Sequence, residues 1–522
     1  MTRHTRGTVA FGVLSLALNA ACASAPKGAP VTSGPAPPAA ARATRVTPSP
    51  AARQSMACGG PTILACELES LFGAPALQPA LLSVLVESLD TGEVIYRLNP
   101  DSMVVPASNQ KIVTMAVGAA RLGWDFRFDT AFETNGTVEN GRLVGDLIVR
   151  GGGDPSINAR EQRTEAFFDE VATLLRERGI SRVEGRLVGD DNRFDDERFG
   201  YGWAWDDLAY AYSAPVGALQ FNQNQIEFTV TPGAAAGETA MIVVTTDGSD
   251  LVIVNRVTTA LAGTPTDIDV ARFPNSRDLV VVGTIAVGAT STTRTAAVDN
   301  PTQFFVNALR GALQARGITV EGSAIDIDDL PADAVQGPRT GIGHVKSPPL
   351  SAIGKTLMKV SQNLYAETVF KALSLQPGPA SAAASRPLAE QTLGSWGIAP
   401  GQYRIADGSG LSRVNFVSAQ MIVRILRAMA KDPQNLAAFD ATLPIAGKDG
   451  TLSGRMKGTR AEDVVHAKTG TLGHVRSLSG YLTTASGERL VFAMIANNFQ
   501  APTAAVDGAV EAALERLAQR TR

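Results

Sequence analysis

Three short motifs fall in a fixed order along this chain of 522 residues: Ser108-Asn109-Gln110-Lys111, then Ser361-Gln362-Asn363, then Lys468-Thr469-Gly470. If they serve one site, residues about 250 positions apart must fold into one unit around everything between them. That requirement limits the topology more than any feature of composition. At this length two or three domains are expected in any case.

The residue types in the motifs explain why they belong together. Ser108 and Lys111 stand three apart at the start of an apolar, helix-like run, so both fall on one face of its first turn. A serine hydroxyl is a weak nucleophile and needs a base beside it. A buried lysine near a second cation loses its proton readily enough to be that base. A helix N-terminus adds backbone N–H groups that favour developing negative charge. Ser361 and Asn363 supply a second hydroxyl and an amide, and Lys468 a cationic strand. These are parts of a serine acyl-transfer site that needs no histidine.

Each motif alone is common. Ser24-Ala25-Pro26-Lys27 also fits Ser-x-x-Lys, Ser156-Ile157-Asn158 fits Ser-x-Asn, and Arg339-Thr340-Gly341 resembles Lys-Thr-Gly. Order and context separate the two sets. Ser24 lies in an N-terminal leader and spacer, and Ser156 in a Gly-rich turn. There are four histidines, no Gly-x-Ser-x-Gly elbow, and no His-x-x-x-His or Cys-x-x-Cys pair, so neither an elbow-type Ser-His-Asp site nor a metal centre is expected. His466 and His474 flank the Lys468 strand and read as ordinary polar positions. No cofactor is implied. A net charge of −3 gives no basic footprint for nucleic acid.

Residues 1–23 read as an export signal: a basic start, then a run from Val9 to Leu18 too short to span a bilayer. Two processing readings stay open: cleavage after Ala21-x-Ala23, or lipidation of Cys22 as a membrane anchor. Residues 24–60 are rich in Pro and Ala and read as a disordered spacer. Cys58 and Cys66 either close a small disulfide loop in the oxidising exported compartment or remain free thiols. Periplasm or cell envelope is the expected location.

Folded sequence begins near Pro61. Leu82–Leu89 and Val94–Tyr96 form a hairpin across Asp90-Thr91-Gly92. A buried helix runs from Ser108 to Gly123. Between about 130 and 295, short Val/Ile/Thr runs such as Leu143–Val149 alternate with Gly and Asp turns, interrupted by one amphipathic helix, Thr164–Arg178. Helices are then expected at Pro301–Arg316, Lys355–Leu373, Ser418–Ala430 and Thr503–Arg520. Strands are expected at Val464–Thr471, Ser477–Thr483 and Leu490–Ala496. The fold class is α+β. Residues 61–129 and 296–522 would build one antiparallel sheet flanked by helices. Residues 130–295 would be a β-rich insertion of two nested domains, the inner one about 152–222.

Longer stretches carry a family resemblance: Val105-Pro106-Ala107-Ser108, Gly151-Gly152-Gly153-Asp154-Pro155, Gly202-Trp203-Ala204-Trp205-Asp206-Asp207, Asn363-Leu364-Tyr365-Ala366-Glu367, Asp407-Gly408-Ser409-Gly410-Leu411-Ser412-Arg413 and His466-Ala467-Lys468-Thr469-Gly470-Thr471. With these the chain resembles the peptidase S13 family of D-alanyl-D-alanine carboxypeptidase/endopeptidases, the class C low-molecular-mass penicillin-binding proteins. The resemblance implies a β-lactamase/transpeptidase-like fold and the cleavage of peptidoglycan peptides. It implies Ser108 as nucleophile, Lys111 as base, Ser361 as proton relay, Asn363 as a substrate hydrogen-bonding group and Lys468 as a source of positive potential. Thr469, Gly470 and Thr471 would lie along the substrate, with the backbone N–H groups of Ser108 and Thr471 as oxyanion hole. Trp203, Asp206 or Asp207, Tyr210 and Arg413 would read the cross-linking diamino acid. β-Lactams would acylate Ser108. A β-lactamase and an inactive wall-binding scaffold are the competing readings.

Overall fold

In the computed structural model, Leu81–Ser88 is a strand buried on both faces. Its side chains divide by period two. Leu82, Val84 and Val86 enter one apolar cluster with the helices Ile63–Phe72 and Thr503–Ala518; Leu85 enters another with the helices Gln110–Leu122 and Ala419–Ala430. Two helical layers therefore sandwich one sheet, and its strands need apolar residues at almost every position. The structure describes residues 63–521 except Asp247, Ala332, Asp333, Gln336, Gln376 and Pro377. The leader, the spacer, Cys22 and the Cys58–Cys66 pairing lie outside the described residues.

The strand order in this sheet is Val465–Leu472, Val475–Thr483, Arg489–Asn497, Leu81–Ser88, Val94–Leu98. Every pairing is antiparallel. The C-terminal strands thus pair directly with the N-terminal hairpin through Leu85↔Ala493 and its neighbours. This puts the strand of Lys468 at the sheet edge beside the turn that carries Ser108, as one shared site requires.

The intervening region differs from the sequence expectation in two ways. Its outer part is two mixed sheets. One orders Ala324–Asp326, Leu187–Asp190, Leu147–Arg150, Asp129–Thr134 and Thr340–Lys346; the other orders Thr319–Val320, Arg182–Val183, Arg142–Val144 and Thr137–Glu139. A boundary at residue 295 would cut both sheets. The helix Pro301–Ala315 also packs here, through Phe305, Val306, Leu309 and Leu313. Secondly, the nested part is not 152–222, whose strands belong to the outer sheets. Strands between Gln225 and Ala297 instead make two three-stranded sheets of their own. The expected strand Leu143–Val149 is likewise two strands in two sheets, broken at Gly145-Asp146.

The expected helix Lys355–Leu373 is also two: Leu350–Lys359 and Asn363–Ala372. Ser361 has a left-handed backbone, φ 62°. Gln362 then caps the second helix by accepting from the Leu364 N–H at 2.9 Å. The apolar period continues across the break, so sequence periodicity does not register it. The break presents Ser361 and Asn363 at a helix start.

Candidate active site

Ser108 lies in a 3-10 turn, Ala107–Asn109, that runs directly into the helix Gln110–Leu122. Ala107 takes φ 48°, an unusual backbone for a residue with a side chain. Gly410 holds this turn closely: a Cβ there would stand 1.8 Å from the Ala107 carbonyl oxygen. Gly470, on the edge strand, approaches from the other side. A Cβ at that position would lie 2.9 Å from the Ser108 nitrogen and 2.1 Å from Ser477 Oγ. Only glycine lets the strand pass so near the serine.

Lys111 is fully buried. Its Nζ donates to Ser108 Oγ at 2.9 Å, to Asn363 Oδ1 at 2.6 Å and to the Ser409 carbonyl at 2.8 Å. Burial pushes its pKa down to about 7, although Asp407 and Glu367 oppose the shift. Lys468 is buried as deeply, and burial together with the charge of Lys111 pushes it well down too. Its Nζ donates to the Thr469 carbonyl at 2.8 Å. Two buried amines, both with lowered pKa, thus serve this region, and that of Lys111 meets the serine hydroxyl.

Ser108 borders a cleft of about 690 Å³ that Ser361, Asn363, Thr469, Gly470 and Thr471 also line. Arg413 lies at its rim and donates to the Gly473 carbonyl at 3.2 Å. Thr469 Oγ1 donates to Thr451 Oγ1 at 2.7 Å, and Thr471 Oγ1 accepts from Arg476. The inserted region closes one end: Asn363 Nδ2 donates to the Tyr212 carbonyl at 2.7 Å, and Asp207 and Tyr212 line the cleft.

Two expected contacts fall elsewhere. Trp203 does not line the cleft; its indole N–H donates to Asp407 Oδ2 at 2.9 Å. Asp206 is exposed and outside the lining, while its neighbour Asp207 lies inside and accepts from the Tyr212 hydroxyl at 2.6 Å. The 3-10 turn Trp205–Asp207 points consecutive acids in different directions, which motif matching cannot resolve. Tyr210 donates to Asp269, on the strand Asp267–Ala271 of the nested sheets.

Glu367 and Asp407 were not singled out from the sequence as site residues, yet both are buried beneath it. Glu367 accepts from the backbone N–H groups of Gly408 and Ser409 at 2.9 and 2.7 Å. Asp407 accepts from the Gly410 and Ser412 N–H groups at 2.8 and 2.6 Å. Together they fix the loop whose Ser409 carbonyl meets Lys111. The available signal is an Asp before Gly-Ser-Gly, a turn that a carboxylate stabilises. The decoys separate cleanly. Asn158 donates to the Tyr365 hydroxyl and Ser156 to Asp154, both in the interior. His466 pairs with Asp440 and His474 Nδ1 with the Phe499 carbonyl, so neither serves the serine.

A family model described as D-Ala-D-Ala carboxypeptidase 3 (S13) matches residues 64–521. The chain belongs to this family. Among its S13 relatives, a D-alanyl-D-alanine carboxypeptidase of Actinomadura sp. (strain R39) is 33% identical over 84% of this chain and 81% of its own. The D-alanyl-D-alanine carboxypeptidase DacB of Haemophilus influenzae is 30% identical over 80% and 85%. The crystal structure of penicillin binding protein 4 (dacB) from Haemophilus influenzae superposes with a TM-score of 0.76 at 27% identity, covering 87% of this chain and 99% of that one. The same protein complexed with a β-lactam gives 0.71 at 26% identity, over 87% and 98%.

Proposed function

We propose that this S13 chain is a serine DD-peptidase that cleaves D-alanyl-D-alanine ends and D-alanyl cross-links of peptidoglycan peptides. The observation that carries the reading is Lys111 Nζ, buried and 2.9 Å from Ser108 Oγ. In this reading neutral Lys111 takes the Ser108 proton as Oγ attacks the D-alanyl carbonyl. The N–H groups of Ser108 and Thr471 stabilise the oxyanion. Ser361 passes a proton to the leaving amine, Asn363 binds the substrate backbone, and Lys468 with Thr469 and Thr471 attracts the terminal carboxylate. Water then hydrolyses the acyl-enzyme and Ser108 regains its proton. A β-lactam carbonyl opens by the same attack and leaves a slowly released acyl group.

Asp207 and Arg413 both line the cleft, a carboxylate and a guanidinium that suit the amine and carboxylate of a diamino acid. The cleft's extension along the insertion suits a cross-linked peptide more than a small antibiotic alone. Among the described residues no helix is long and apolar enough to cross a membrane. We place the enzyme in the cell envelope, exported by its leader; the mass of the mature N-terminus distinguishes a lipidated Cys22 from simple cleavage.

Incubating the protein with a fluorescent penicillin and with cross-linked muropeptides tests the function. A stable label lost in Ser108→Ala, with D-Ala release or cross-link cleavage, is expected. Rapid penicillin turnover without muropeptide cleavage would make it a β-lactamase. No label on the intact protein would leave a scaffold.

A further inference from the structure

Away from the cleft, three acids converge where the strand Leu187–Asp190 ends, the short strand Ala324–Asp326 ends and the helix Pro301–Ala315 begins. Asp191, Asp326 and Asp328 each offer one carboxylate oxygen, and these oxygens all lie within 4.8 Å of one another. A Ca²⁺–oxygen bond is about 2.4 Å, so two ligands of one ion stand at most about 4.8 Å apart, a limit that every pair in this group respects.

The partners already present do not satisfy this group. Asp191 Oδ2 accepts from Thr302 Oγ1 at 2.5 Å, and Asp326 Oδ2 accepts from Asn300 Nδ2 at 2.7 Å. Asp326 Oδ1 accepts from the Asp328 N–H at 3.2 Å. A single guanidinium, Arg198, stands 3.7 Å from Asp326 and 3.9 Å from Asp328, beyond hydrogen-bond reach. Asp191 is 7% exposed, and its buried Oδ1 has no donor among the described residues. An unmet buried carboxylate oxygen is costly. Exposed Asp328 leaves one side open for solvent to complete a coordination shell.

We propose that Asp191, Asp326 and Asp328 bind a hard divalent cation, Ca²⁺ by their oxygen-only chemistry, which ties the outer sheet of the insertion to the start of the helix Pro301–Ala315. Oxygen-only ligands of this kind suit Ca²⁺ rather than a transition metal. Burial, with Asp326 and Asp328 nearby, pushes Asp191 up to about 6. A bound cation would keep all three acids ionised. The acids come from separated segments, so the His and Cys spacings that mark a metal site in sequence are absent.

The test uses the full chain, stripped with EDTA and dialysed, titrated with CaCl₂ or MgCl₂ by calorimetry and thermal unfolding. Binding of one Ca²⁺ per chain is expected, with Tm rising by roughly 3 °C at a hundredfold excess over Kd. Mg²⁺ should bind more weakly, since its bonds of about 2.1 Å suit a tighter cage. Asp191→Asn and Asp326→Asn should abolish the shift; exposed Asp328→Asn should weaken it without endangering folding. Arg198→Gln, which removes the competing cation, should bind Ca²⁺ more tightly. No heat and no Tm shift up to about 10 mM Ca²⁺, tenfold above the Kd of weak extracellular modules, would overturn the proposal. So would a shift that survives Asp328→Asn and Asp191→Asn together, or a Ca²⁺-independent rise in Tm for Asp191→Asn, which would make Asp191 a buried neutral acid.

Discussion

In the insertion, several buried acids outside the Asp191 group are met by arginine. Arg186 donates through Nη2 to Asp146 Oδ2 at 2.7 Å and through Nε to Oδ1 at 3.1 Å; Arg339 reaches Asp190 at 2.5 Å, and Arg163 lies 3.4 Å from Asp154. In the cleft, Lys111 and Lys468 are both fully buried, and neither makes an ion pair among the described residues. Paired charge holds the insertion's sheets in register. Unpaired charge in the cleft costs stability, and the return on that cost is an amine that can give up its proton. The contrast separates charges that maintain the structure from charges poised for chemistry.

The sharpest way to break this contrast is Lys111→Ala. Acylation by a fluorescent penicillin should fall by about 10³-fold, within the usual range for loss of a general base. Thermal stability should not fall in parallel, because the substitution removes a buried unpaired cation. In the unsubstituted protein the acylation rate should climb as pH rises through about 7 and then level, because the neutral amine is the active form of Lys111. A pH-independent rate between about 5 and 9 would sink Lys111 as the base.

Arg186→Ala probes the other side. It should leave acylation nearly intact and cost about 2 kcal/mol in urea unfolding, below the range for fully buried pairs because Arg186 is partly exposed. Burial pushes Asp146 up, but the hydrogen bonds from Arg186 outweigh it and hold the carboxyl below its usual 3.8. The stability this adds is present above pH ~4 and is lost as pH falls through the lowered folded value. In Arg186→Ala, the acid sensitivity from this group should therefore weaken.

Glu367→Gln works between the two sets of charges, since its carboxylate is buried like those of the insertion yet acts on the cleft. An amide keeps one acceptor where the carboxylate offers two, so either Gly408 or Ser409 N–H loses its partner. The Ser409 carbonyl then shifts off Lys111. We expect acylation to drop about tenfold, the scale of one ~1.4 kcal/mol contact. Because the Glu367 charge raises Lys111, its removal should also move the pH profile of acylation toward acid. A slower rate with an unmoved profile would make Glu367 merely structural.

The two regions were also unequally legible in the sequence. Ser108 and Lys111 can be read because both lie on one helical turn, and the Lys468 strand because its apolar neighbours alternate into the sheet. Ser361 was legible as a residue type but not as a chain break, because Leu357, Val360 and Leu364 continue a helical period across it. What stops the helix is a left-handed backbone at one serine and the Gln362 cap. Glu367 looked like an ordinary helix residue, because its partners lie about 40 residues on. In the insertion, the pairing partners of strands as short as Arg182–Val183 and Thr319–Val320 lie more than 100 residues apart, so local pattern could not assign the nesting. Asp206 and Asp207 show the same limit at the cleft: residue type pointed to the loop, and only the turn's geometry chose between neighbours.

The smallest expected effect calibrates the rest. Glu184 and Arg186 stand two residues apart, yet their ion pairs differ in burial. Arg142 meets Glu184 at 2.8 Å with both side chains substantially exposed, whereas Asp146 opposite Arg186 is buried. Water competes for the exposed pair, and holding two long side chains costs entropy, so Arg142→Ala should change stability by less than about 0.5 kcal/mol. Raising salt should shrink even that difference, because exposed charges are screened. A double-mutant cycle of Arg142→Ala with Glu184→Ala, run beside the cycle of Arg186→Ala with Asp146→Ala, would measure both pairs in one region of the insertion. Equal coupling energies would mean that burial does not set the value of a charge pair here, and the contrast between the insertion and the cleft would lose its physical basis.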